Sequence, residues 1–355
     1  MIITDIVKVF TPAVIAFALG VALTPVLTHY LYKYRAWKKK GGKTALDGKE
    51  ATEFNKLHQE KESHTPRMGG IVIWASTLIT ILGVWIAAHF SASAVIEKLD
   101  FLSRDQTWIP LLALMVGAVT GLINDILDVT THDARGLPIQ TRLAIVTVVA
   151  LFIGWWFYDK LDVTAIGIPF SAPLQIGWLI VPLFILVSLF IYASGVIDGI
   201  DGLSGGVFAT IFAAYAGIAF YQNQLNLAAF AATVAGATLA FLWFNIPPAR
   251  FWMTETGTFA LTLALTVVAF MTDALGDGHG LLALPIIGFP LVATVLSNVI
   301  QILSKKLRGG KKVLRVAPLH HHFEAIGWPS YKVTMRYWVI SVIFAIIGTV
   351  FALIG

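Results

Sequence analysis

Five carboxylates and a run of three histidines carry the chemistry this chain could perform. Asp125 and Asp128 stand three residues apart in Asn124-Asp125-Ile126-Leu127-Asp128. Asp198 and Asp201 lie in Asp198-Gly199-Ile200-Asp201-Gly202, and Glu255 in Thr254-Glu255-Thr256. His320, His321 and His322 are adjacent, between Leu319 and Phe323. Three neighbouring imidazoles cannot all face one way on a helix, so the run suits a loop around a phosphate or beside a metal. Several acids brought to one place make a hard oxygen site of the kind Mg²⁺ uses with phosphates. Each group also has a plainer reading. Asp125 and Asp128 share a helix face and could pair with Arg135 or Arg142. The two Asp-Gly steps could form only a tight turn. Glu255 could simply favour the dipole of a helix's first turn. The histidines could be a solvated loop.

The elements that must position these groups are membrane spans. Of 355 residues, 57% are hydrophobic and 13% charged, and mean hydropathy is +0.79. A soluble domain carries about 25% charged residues. Apolar runs long enough to span recur at 8–31, 69–89, 108–127, 143–158, 178–197, 203–221, 225–244, 257–273, 280–303 and 334–354. The fourth is short, and the ninth contains Pro285 and Pro290. The expected fold is therefore all-α, a polytopic membrane protein of about ten transmembrane helices, with residues 1–355 forming one domain. The first run lacks a basic leader and a small-residue cleavage site, and reads as a retained helix. Cysteine is absent, which excludes disulfides and thiolate chemistry.

The net charge of +5 is distributed as a topology signal and not as a nucleic-acid surface. Twenty of the 25 basic residues fall in 32–68, 124–142, 245–256 and 304–333, the stretches after alternate runs. The positive-inside rule makes these loops cytoplasmic and places both termini outside. Every carboxylate above and the histidine run then lie at the cytoplasmic face, where ionisable groups beside a bilayer tend to be functional. Three further features suit a nucleotide diphosphate. Thr65-Pro66-Arg67-Met68-Gly69-Gly70 would let backbone N–H groups approach a phosphate. Asn245 supplies an amide beside Pro247-Pro248, and Trp252 a flat ring for a base or an interfacial anchor.

These motifs occur in the order of a known family. Thr-Pro-Arg-Met-Gly-Gly at 65–70, Asn-Asp at 124–125, Asp-Gly-Ile-Asp-Gly-Leu at 198–203, Trp-Phe-Asn at 243–245 and Ala317-Pro-Leu-His-His-His-Phe-Glu324 carry the likeness, with Gly327-Trp328-Pro329 behind them. From about residue 60 onward the chain resembles the phospho-N-acetylmuramoyl-pentapeptide transferases, within the polyprenyl-phosphate N-acetylhexosamine-1-phosphate transferases. The histidine run with Gly-Trp-Pro is specific to the muramoyl branch; the other motifs are shared across the superfamily.

The resemblance implies ten transmembrane helices, a homodimer in the bacterial inner membrane, and an active site on the cytoplasmic face. It implies transfer of phospho-MurNAc-pentapeptide from UDP-MurNAc-pentapeptide to undecaprenyl phosphate with Mg²⁺, giving lipid I and UMP for peptidoglycan synthesis. By the same likeness, Glu255 with Asp125 would hold the metal, and Asp125, beside Asn124, would orient or activate the lipid phosphate. Asp198, Asp201, Asn245 and Trp252 would hold the nucleotide, and His320, His321, His322 and Lys61 the phosphates or sugar. The chain departs from the family pattern at several of these positions. Asn124 replaces the first of two consecutive aspartates, and Asp128 replaces a lysine. Gly195 replaces an asparagine, Glu255 an aspartate, and Trp252 a phenylalanine. Charge is relocated more than lost, which favours an active enzyme.

Two other functions stand beside this one. A related transferase using UDP-GlcNAc would suit Thr-Pro-Arg-Met-Gly-Gly, and the histidine run argues against it. A secondary transporter would place its acids within spans or at broken helices, whereas here they cluster at one face.

Overall fold

The computed structural model describes residues 2–39, 41–42, 55, 62–91, 93–131, 136–275 and 278–354. Long apolar stretches satisfy their backbone polar groups internally by becoming helices, as lipid demands. They are α1 (Ile2–Lys33), α2 (Ile71–Phe90), the short α3 (Ala94–Leu99), α4 (Trp108–Thr130), α5 (Ile139–Lys160) and α6 (Ile180–Ala193). There follow α7 (Leu203–Tyr221), α8 (Leu225–Asn245), α9 (Thr254–Ala274), α10 (Gly280–Ile287), α11 (Phe289–Leu307), α12 (Leu319–Ala325) and α13 (Ser330–Leu353). A two-stranded antiparallel hairpin pairs Ala165–Ile166 with Leu174–Gln175.

Among the described residues nine helices are long and apolar enough to cross a membrane. A tenth candidate is the pair α10 and α11, bent by 70° at the break between them. Its break has a local cause. Pro290 enters the first turn of α11, where it lacks an N–H and its ring blocks continuation of the preceding helix. The ten expected runs coincide in order with these nine helices and the bent pair. The histidine run differs from expectation: it forms α12, with Pro318 as its N-cap, and is not a loop.

Helix α9 is the axis of the bundle, almost wholly enclosed by its neighbours. It packs along α4 and also touches α2, α6, α7 and α10. Its approach to α4 is close enough to require glycine. A Cβ on Gly121 would stand 2.1 Å from the Glu255 carbonyl oxygen. Small residues at such seams let membrane helices gain dispersion contact where no hydrophobic effect operates between them. This seam sets Asp125, one turn beyond Gly121, against the start of α9.

Candidate active site

Asp125 is fully buried at the end of α4. Its Oδ2 accepts the Thr256 N–H at 2.8 Å and the hydroxyls of Thr254 and Thr256. A buried carboxylate needs such donors, because an uncompensated one is expelled to water or protonated. Asp125 thus ties α4 to the Thr-Glu-Thr turn and fixes Glu255 between its two partners. Asn124 extends the brace: its Nδ2 donates to Asp125 Oδ1 at 3.3 Å, and its Oδ1 accepts Leu137 N–H at 2.9 Å.

Thr254 is the junction of the site. It lies in the left-handed region at φ +54°, which costs a β-branched residue roughly 1–3 kcal/mol unless its surroundings over-determine it. They do. Its N–H donates to Asp198 Oδ2 at 2.8 Å, its hydroxyl donates to Asp125, and it accepts Met68 N–H at 3.1 Å. The Pro66–Gly70 loop is zipped to the same segment. Gly69 N–H donates to Trp252 O at 2.8 Å, Gly70 N–H to Met253 O at 3.2 Å, and Trp252 N–H to Pro66 O at 2.9 Å. The N–H groups of Gly69 and Gly70 are therefore spent on this backbone.

The Asp198–Gly202 turn closes the other side. Asp198 Oδ1 accepts Ser204 Oγ–H at 2.7 Å. Asp201 Oδ1 accepts the Trp252 indole N–H at 3.0 Å, which fixes the half-buried ring. Asn245 is committed to backbone: its Oδ1 accepts Gly202 N–H at 2.9 Å and its Nδ2 donates to Phe251 O at 2.8 Å. The histidines meet this turn at Gly199, where a Cβ would lie 2.5 Å from His320 Nε2 and 2.7 Å from His321 Nε2. His320 and His321 are buried, and His321 Nδ1 is 2.8 Å from Glu324 Oε2. His322 turns outward and takes Arg315 N–H at 3.2 Å. Lys61 lies outside the described residues.

Cations complete the arrangement. Arg142, at the start of α5, is ion-paired with Glu255. Arg67 Nη2 lies 3.1 Å from Asp128 Oδ2 and 3.9 Å from Asp125 Oδ1. Lys38 reaches Asp128 and Glu62, each at 3.9 Å. Asp128 thus pairs with Arg67 and Lys38, and Arg142 serves Glu255. The flanking threonines of Thr254-Glu255-Thr256 were the one available signal for the hydroxyls that hold Asp125.

Among the described residues no group of three or more acids and histidines forms a metal cluster. Mg²⁺ needs only one or two carboxylates when substrate phosphates fill its remaining positions. Glu255 fits that role: it is half-buried, and Arg142 is its one ion-pair partner among the described residues. Asp125 fits less well, since its Oδ2 already accepts three donors.

A model described as glycosyl transferase family 4 matches residues 107–273, from the start of α4 to the end of α9. A phospho-N-acetylmuramoyl-pentapeptide-transferase of Anoxybacillus flavithermus is 33% identical over 94% of this chain and 94% of its own. Those of Geobacillus thermodenitrificans and Bacillus mycoides are 32% and 33% identical, again over 94% of this chain and at least 94% of theirs.

Proposed function

The chain belongs to the phospho-N-acetylmuramoyl-pentapeptide transferase family, and from that premise we propose that it makes lipid I. An oxygen of undecaprenyl phosphate attacks the β-phosphorus of UDP-MurNAc-pentapeptide. The anhydride bond to UMP breaks, a new anhydride to the lipid forms, and UMP departs with the bond's electron pair. One phosphoanhydride replaces another, so the protein's task is positioning and charge neutralisation. The observation that carries this reading is the meeting of Asp125, Asp198, Thr254 and the Pro66–Gly70 loop, from four separate parts of the chain, at one end of the bundle.

The residues divide by what they touch. Glu255 is the protein ligand we assign to Mg²⁺, which when bound neutralises diphosphate charge and polarises the phosphoryl oxygens. Asp125, whose Oδ2 accepts three donors, and Asn124 beside it are assigned to positioning Glu255. Asp201 sets the plane of Trp252 for stacking on the base. Asn245 shapes the Asp198–Gly202 turn, and His320 and His321 flank it where phosphates or sugar would lie. The basic residues in the loops at this end support a cytoplasmic-facing site in the bacterial inner membrane, the side on which a nucleotide substrate is dissolved. The same premise supports a homodimer, which cross-linking in membranes tests.

Purified protein given UDP-MurNAc-pentapeptide, undecaprenyl phosphate and Mg²⁺ should release UMP, and EDTA should stop it. UDP-GlcNAc, run beside it, should release far less; equal or greater release would assign the related transferase. Absence of UMP with every UDP-sugar tried would overturn the enzyme reading.

A further inference from the structure

Both arginines at the acid cluster carry an unspent donor. The Nε–H groups of Arg67 and Arg142 are buried and have no hydrogen-bond partner among the described residues. A buried donor left unpaired is destabilising, and such groups in native structures call for an explanation. Here the two occur together, on side chains whose other nitrogens are held by Asp128 and Glu255.

Arg67 is the better built of the two. Its own N–H donates to Ala36 O at 2.7 Å, and the loop that carries it is bonded to Trp252 and Met253. The guanidinium is largely enclosed, with 13% of the side chain exposed. Asp128, one turn past Asp125, holds one edge of the fork. Asp128 in turn shares Lys38 with Glu62, so its charge is balanced from a second side. Such a carboxylate orients a cation and has little charge left to bind one from solution. Arg presents five donors in a planar fork that matches phosphate oxygens. With Asp128 on one edge, the remaining edge is the donor set a phosphoryl group takes.

We propose that Arg67, oriented by Asp128 and seconded by Arg142, is a phosphate-binding residue of this site. The proposal rests on the transferase reading for its substrates. The ligand chemistry is a phosphoryl oxygen, supplied either by the nucleotide diphosphate or by the lipid phosphate. Arg67 supplies fixed positive charge against the phosphates. Asp128 is a positioning residue, acting through Arg67.

The experiment compares UDP with uridine, by calorimetry, on intact protein and on Arg67→Met, Arg67→Lys and Asp128→Asn. Intact protein should bind UDP at least about tenfold more tightly than uridine. In Arg67→Met that ratio should fall at least about fivefold while uridine affinity stays within about twofold. Arg67→Lys should recover part of it, since charge is kept and the fork is lost. Asp128→Asn should lower it less, because the guanidinium remains but is loosely held. The KM for undecaprenyl phosphate supplies the second arm. A rise of about tenfold there with the UDP ratio unchanged would place Arg67 on the acceptor and support the proposal. An unchanged ratio and an unchanged lipid KM would overturn it, even with turnover reduced, because Arg67 would then be structural only. Should Arg67→Met fail to fold, Arg67→Lys and Asp128→Asn decide by the same two readouts. If intact protein releases no UMP yet the arginine variants lose the UDP preference, the transferase reading fails and the phosphate site stands.

Discussion

Helix α9 begins at one acid and ends near another, and the two are satisfied in different ways. Asp273, at its far end, is 4% exposed and accepts backbone N–H groups from Gly167 at 2.8 Å and Leu281 at 3.1 Å. Gln222 and Gln224 donate side-chain amides to the carbonyls of Thr272 and Met271 beside it. Glu255, at the near end, is half-buried and meets a side chain, Arg142. Backbone donors cannot leave without unfolding a loop. A guanidinium on a flexible stem can swing aside for a phosphate or a metal. Both carboxylates have partners, but only one pairing is exchangeable, which suits the end proposed to be functional. Asp125 is instructive because it belongs to the functional end yet is held in the manner of Asp273.

That contrast breaks most sharply at Glu255. Glu255→Gln should lower UMP release by about 10³-fold, the scale of losing one aligned electrostatic group, while leaving the melting temperature in detergent within about 2 °C, since the amide oxygen of Gln still accepts from Arg142. Equal losses of turnover and stability would mean that the near end is built like the far one. Asp125→Asn comes next. Its amide would face the Thr256 N–H with a donor or lose an acceptor for the threonine hydroxyls, so turnover should drop about 10²-fold and stability should fall as well. Loss of turnover alone, with the melting temperature intact, would show that Asp125 acts on the substrate after all.

Asp273→Asn should reverse the pattern. One backbone donor, Gly167 or Leu281, would meet an NH₂ group. The melting temperature should fall by about 5 °C, while turnover at 25 °C stays within about threefold. A hundredfold loss of turnover there would require coupling between the two ends of α9. The smallest effect belongs to His322→Ala, which removes an outward ring from the histidine helix and should change turnover by about twofold. A large loss there, measured as UMP release, would place His322 on the substrate beside His320 and His321.

The spans were legible because twenty-residue apolar runs admit one structure in lipid. The break in the ninth was legible at Pro285 and Pro290. The acids were legible as a group, because few charges interrupt this chain, and the structure gathers them at one end. The histidine helix was not. Three like side chains argue against a common face, and what decides the matter is Pro318 starting a turn and Glu324 standing three residues from His321. Arg142 was legible only as a neighbour for Asp125 or Asp128; its partner Glu255 lies 113 positions away in sequence. Arg67 lay in plain view within a motif, but its contact with Asp128 is set by the zipping of two distant loops. The sequence shows Asn245 only as an amide beside Pro247-Pro248, and packing alone shows both ends of that amide bound to backbone.

Helix α9 has a consequence for how the protein enters a membrane. It is the least apolar of the nine spans and carries hydroxyls at Thr254, Thr256, Thr258, Thr262, Thr266 and Thr272. Thr258, Thr262, Thr266 and Thr272 each donate to the carbonyl four residues earlier, which hides their polarity within the helix itself. Even so, the acids near its ends gain nothing from lipid, and its surroundings in the finished bundle are protein on every side. During synthesis this segment leaves the ribosome after α4, α6, α7 and α8 are already made. Helices α4, α6 and α7, which it packs against in the finished bundle, are thus in place to receive it, and its partition into the bilayer is a docking event as much as an insertion.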